Sequence, residues 1–211
     1  MVRYDDETAR QIAWEADEHI GWRELVLRKG SWLLCALLVL ILAGCGGGPK
    51  ADVPIFMMSK TGIPSDVAEK LEASLIGKVG EAPTVSISAS PMFSMDKMIV
   101  EIAAGGNGIL VIPGEQFQGM SKQGGFVPLD DVANPADFPD GVLELPVDDK
   151  SNKSADKSNP KLEKHLYGIP LEHTKWFTDL QFNGKDLYAF IPQNAKDIEK
   201  AKLVMKQIAQ K

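Results

Sequence analysis

The apolar positions of the chain fall into two unlike regions. Between Trp32 and Ala43 they form an unbroken run of twelve residues, with Arg28 and Lys29 before it and Gly44, Cys45 and three glycines behind it. From Val53 onward, short apolar runs and helix-period stripes take turns instead. Val53-Pro54-Ile55-Phe56-Met57-Met58 is bounded by polar residues and predicts a buried strand. Pro64-Ser65 opens a helix, with Ser65 as N-cap, Asp66 in the first turn, and Val67, Leu71, Leu75 and Val79 on one face. A second strand starts at Pro83, where Val85, Ile87 and Ala89 alternate with Thr84, Ser86 and Ser88. A second helix runs from Ser94 or Met95 to Ala104 and stops at Gly105-Gly106-Asn107-Gly108, where Gly and Asn tolerate the left-handed backbone of a helix end. Ile109-Leu110-Val111-Ile112 is a third strand, closed by Pro113-Gly114, and a third helix covers 115–123 before Gly124-Gly125.

Three strand–helix units in succession predict an α/β domain whose sheet is mostly parallel and right-handed in its crossovers. The first and third strands are apolar throughout, as strands covered on both faces should be, so three layers are expected. Residues 148–164 are almost entirely Lys, Asp, Ser and Asn and predict a mobile polar loop. Beyond them, 166–171 and 186–192 have strand character. Asn194 then caps a last helix with Ile198, Ala201, Met205 and Ile208 on one face.

The run from Trp32 to Ala43 is about 18 Å long as a helix, short of the roughly 30 Å of hydrocarbon that a spanning helix must cross. With its preceding cations it matches the apolar centre of an export signal. Leu42-Ala43-Gly44-Cys45 resembles the lipobox of bacterial lipoprotein precursors. The resemblance implies cleavage between Gly44 and Cys45, a diacylglyceryl thioether with palmitate-type chains on Cys45, and anchoring in the bilayer at the extracytoplasmic face of the cell membrane. Two acyl chains hold firmly where one is marginal.

Four segments follow: 1–27 upstream, a signal peptide at 28–44, the lipidated Cys and a Gly-rich tether at 45–50, and the α/β domain at 51–211. Segment 1–27 is acidic, unlike the short basic start of an export signal, and carries Arg3, Arg10 and Arg23. It reads either as an extended cytoplasmic region or as translation from a start upstream of the native one near Val26 or Leu27. The shift in basic residues favours the second, since every basic residue after Cys45 is lysine.

The net charge of −6 argues against a nucleic-acid partner, which would call for a clustered positive face. Cys35 leaves with the signal and Cys45 is blocked by lipid, so no free thiol remains for a disulfide, catalysis or a metal. There is no nucleophile elbow, phosphate loop or zinc-protease helix, and His165 and His173 lack the spacing of convergent ligands. The expectation is therefore a protein that is not an enzyme and needs no metal or cofactor. The absence of Arg after Cys45 removes the usual bidentate clamp for carboxylate or phosphate and shifts weight toward a neutral solute or a protein partner.

Three stretches in order, Val100–Gly105, Gly108–Phe117 and Lys122–Asp131, together with Tyr167-Gly168-Ile169-Pro170-Leu171, resemble extracellular solute-binding proteins of ABC importers. That resemblance implies a fold similar to one lobe of a periplasmic-binding protein, a small solute as ligand, and an ABC permease or other membrane protein as partner. The family has two lobes, and the 167 residues from Cys45 onward suffice for one. An accessory lipoprotein that binds a membrane or envelope protein without a solute is the alternative.

Ligands of open α/β sheets sit beyond the carboxyl ends of the strands. This places candidate contacts at Ser59, Lys60 and Thr61, at Ser90 and Phe93, and at Glu115. Phe93, Phe117 and Trp176 are candidates for a stacking platform, although the core is the commoner fate of such rings.

Overall fold

The computed structural model describes residues 50–122, 124–146 and 162–211. The lipobox with Gly44 and Cys45, the apolar run before it, and 148–161 of the polar tract lie outside the described residues.

The apolar runs become strands β1 (Val53–Met57), β2 (Val85–Ala89) and β3 (Ile109–Pro113), separated by helices α1 (Ser65–Val79) and α2 (Met95–Ala104). Ser94 caps α2 by accepting the Lys97 amide, and Gly105 ends it in the left-handed region at φ 61°. For α1 the N-cap is Pro64, with Ser65 already in the helix and no side chain holding the orphan amides. Helix α3 (Gly114–Ser121) follows β3 directly.

Two elements depart from the expected pattern. Val142–Pro146 is a strand, β4, and it pairs antiparallel with β5 (Leu162–Leu166), so the last residues of the polar tract are ladder rather than loop. Cross-strand partners explain this: Glu144 faces Lys164 in the register, while Leu145 and Leu166, on opposite faces of the pair, are each buried in a different core. The chain then forms β6 (Ile169–Pro170), the short helix α4 (Lys175–Thr178), β7 (Leu187–Phe190) and α5 (Ile198–Ile208). Asp197, not Asn194, caps α5, accepting the Lys200 amide; Asn194 donates instead to the Ile102 carbonyl at the end of α2.

The main sheet has the order β2-β1-β3-β7-β6. β1 is parallel to β2 and β3, but β7 lies between β3 and β6 and runs against both. The sheet is therefore mixed, not mostly parallel. The reason is connectivity: β7 is reached by a long excursion from α3 rather than by another strand–helix–strand crossover, and only that crossover enforces parallel pairing. The antiparallel register sets Leu187 opposite Pro113, which puts the start of β7 at the carboxyl end of β3.

Alternate side chains of each strand enter different cores. Ile55, Met57, Ile109, Val111 and Ala189 pack with Leu71 and Leu75 of α1 and with Ala201, Val204, Met205 and Ile208 of α5. Phe56, Met58, Leu110, Ile112 and Phe190 pack with Met98 of α2 and Phe117 of α3. Helices thus cover both faces, the arrangement the continuous apolar strands require. Among the described residues no helix is long and apolar enough to cross a membrane.

Candidate functional site

The carboxyl end of β1 runs into Ser59-Lys60-Thr61-Gly62, a turn closed by the Ser59 hydroxyl, which donates to the Gly62 carbonyl at 2.7 Å. Gly62 has φ 78°, and a Cβ there would lie 1.9 Å from the Pro91 carbonyl oxygen. Only glycine lets this turn press against the loop after β2. The Ile63 amide donates to the Ser90 carbonyl and the Ser90 amide to the Met57 carbonyl, which ties the two loops together.

Lys60 leans across the sheet edge. Its ammonium lies 3.3 Å from Glu115 in the first turn of α3 and 3.1 Å from Asp186, just before β7. Hydrogen bonding to Asp186, and then to Glu115, raises the Lys60 pKa above its ordinary value. Gly114 makes this convergence possible: a Cβ there would lie 2.6 Å from the Asp186 carboxylate and 2.7 Å from the Tyr188 ring. The Gly114 amide donates to the Asp186 carbonyl at 2.8 Å.

Beside this ion cluster lies a cavity of about 420 Å³, within the roughly 300–1,000 Å³ usual for small-molecule sites. Its polar side carries Ser59, Lys60, Thr61, Asn183, Lys185 and Asp186. Its apolar wall includes Val67, Leu71, Phe177, Phe182 and Leu187. The Lys60 charge is answered by two carboxylates, so the cavity offers shape, apolar surface and scattered polar groups rather than a net field.

Four of the sequence candidates, Ser59, Lys60, Thr61 and Glu115, are brought together here. The others are not. Ser90 is 2% exposed and its hydroxyl donates to the Met92 carbonyl, so it serves the supporting loop. Phe93 packs against the core shared with α2 and α3. Trp176 is fully buried, donates its indole N–H to the Leu71 carbonyl at 3.0 Å, and meets Phe177 edge-on at 5.1 Å. It backs the cavity wall one layer behind. Phe117 is likewise core, stacked between Phe126 and Tyr188. Asp186 and Phe182 escaped the sequence reading. A strand assumed parallel would have its start at the opposite edge, so nothing local marked Asp186 as a neighbour of Lys60.

A second ionic cluster stands on β5. His165 Nδ1 is 2.9 Å from Asp130 and its Nε2 is 3.2 Å from Glu163. The hydrogen bond to Glu163 is the foremost influence raising its pKa; partial burial opposes it, and Asp130 adds to the rise. The two carboxylates approach opposite ring nitrogens, which is the geometry of a held imidazolium rather than a ligand set. Among the described residues no group of three or more His, Cys, Asp or Glu side chains is arranged to hold a metal ion. Compared with known proteins, the chain matches no family model, no curated protein and no solved structure.

Proposed function

We propose that this protein is a lipid-anchored binding module at the extracytoplasmic face of the cell membrane, similar to one lobe of an ABC-importer solute-binding protein. It takes a small neutral solute with an apolar body at the strand-end cavity and acts by binding, not by bond chemistry. The observation that carries this reading is the convergence of Ser59, Lys60, Thr61 and Glu115, with Asp186, beside an apolar wall at the carboxyl edge of the sheet. Internal neutralisation of Lys60 and the lack of Arg after Cys45 both disfavour an ionic ligand. The apolar wall supplies affinity, and the hydroxyls of Ser59 and Thr61 with the amide of Asn183 supply orientation. Thermal melting of the full chain against sugars, amino acids and short peptides tests it, because a ligand that binds only the folded state raises the melting temperature. One solute class should raise it in a saturable way, and Phe182→Ala should abolish that rise while the protein stays folded. A flat response across all classes, with no uptake in equilibrium dialysis, would sink the proposal.

A further inference from the structure

The main sheet ends on one side in β2 and on the other in β6. An edge strand presents backbone amides and carbonyls to any strand that approaches, and proteins blunt such edges with charge, proline or brevity. β6 has two of these protections, since it is two residues long and its second residue is Pro170. β2 has no charge or proline of its own. The stretch Thr84-Val85-Ser86-Ile87-Ser88-Ala89-Ser90 is uncharged, and its alternation with β-branched residues suits it to pairing.

The direction of its backbone groups follows from the bonds to β1. The Val53 amide donates to the Thr84 carbonyl and the Ser90 amide to the Met57 carbonyl, so residues 84, 86, 88 and 90 face inward. Val85, Ile87 and Ala89 therefore turn their amides and carbonyls to the open side. Ile87 is the middle residue of β2, and its amide donates to the Glu72 carboxylate at 2.5 Å. Glu72 is half-buried on α1, the helix packed against β2. A groove of about 500 Å³ lies between the two elements, lined by Ala68, Glu72, Ile87 and Ala89 among others.

The strand best matched to this edge is the same edge of a second copy. Two β2 strands meeting antiparallel across a twofold axis at Ile87 would set Ile87 opposite Ile87 and Val85 opposite Ala89. The outward groups of all three residues would then find partners, and each Ile87 amide would donate to the other copy's carbonyl. That amide is the one Glu72 holds. Pairing would exchange a charge-assisted hydrogen bond for a neutral one and leave a half-buried carboxylate without its donor. We propose that Glu72 is an edge guard: by occupying the Ile87 amide it keeps the β2 strands of two copies from joining into one continuous sheet. The protection that β2 lacks in its own residues comes from a helix residue fifteen positions away.

The test follows the molar mass of the full chain in dodecyl maltoside by size-exclusion chromatography with light scattering, over a series of protein concentrations. Glu72→Ala should shift the balance toward dimer by at least about tenfold relative to the wild-type chain. Glu72→Met, close to Glu in length but without an acceptor oxygen, should do the same. Glu72→Gln should stay near wild type, because its side-chain carbonyl still accepts from the Ile87 amide. Adding Ser88→Lys to Glu72→Ala places a charge at an exposed position of the edge and should restore the wild-type mass. Circular dichroism confirms that each variant is folded. Hydrogen exchange of residues 85–89 should slow with rising concentration in the Ala and Met variants and not in the wild-type chain. An unchanged mass in both of those variants would overturn the proposal, as would Glu72→Gln associating as strongly as Glu72→Ala. Association that survives Ser88→Lys, or that leaves 85–89 unprotected, would place the contact elsewhere and overturn it too. A wild-type dimer that already protects these amides would have the same force.

Discussion

Two charged side chains show how position decides electrostatic character. Asp52 accepts from Lys200 and from the amide and hydroxyl of Thr84, which together lower its pKa to about 2. His165, held between Glu163 and Asp130, is shifted the other way. A histidine whose folded pKa lies above its unfolded value contributes stability that is complete below the unfolded value and disappears as pH climbs through the folded one. The melting temperature should therefore fall on His165→Gln at about pH 5.5 and be nearly unchanged by it at about pH 8.5, given an ordinary histidine pKa near 6.5. Melting curves of both proteins across that interval check this; a difference that grows with pH would show that His165 is held neutral.

At the scale of elements, the site depends on how closely loops approach one another. The turn after β1 needs Gly62 in the left-handed region and needs no side chain against Pro91. Gly62→Ala should cost about 1–3 kcal/mol or more from backbone strain, before the added clash with the Pro91 carbonyl. Urea unfolding should show a lower midpoint at an unchanged slope, and an unchanged midpoint would mean that the two loops separate without cost. The bounds of α2 were legible from the chain because the signals are local: Ser94 before it and Gly105 after it do what those residue types do, whereas the starts of α1 and α5 fell at Pro64 and Asp197 rather than at Ser65 and Asn194. The β4–β5 pair was not legible, since its second strand, Leu162-Glu163-Lys164-His165-Leu166, has three consecutive polar residues in place of strand alternation and continues a run of Lys, Asp and Ser. Only pairing with Val142–Pro146 makes it a strand.

Over the whole molecule, the proposed membrane address and the domain are separate propositions, with the glycine-rich stretch 46–50 between them in the sequence. The address rests on one side chain. Cys45→Ser should abolish incorporation of labelled palmitate and leave a longer precursor in mass spectra of the protein isolated from its native cells. Normal acylation and trimming of that variant would refute the lipobox reading. Neighbouring residues were enough to set three strand–helix units, the two caps of α2, the apolar run with its cysteine, and the candidates Ser59, Lys60 and Thr61 at a strand end. Tertiary structure alone decided that β7 enters against β3, which brings Asp186 to Lys60, and separately that Trp176 sits behind the cavity wall and Ile99 stays exposed. The physical reason is range. Capping and periodicity act within a turn or two of the chain, whereas the direction of a strand reached after a long excursion is settled by which backbone edges and apolar faces remain unpaired once the local elements have packed.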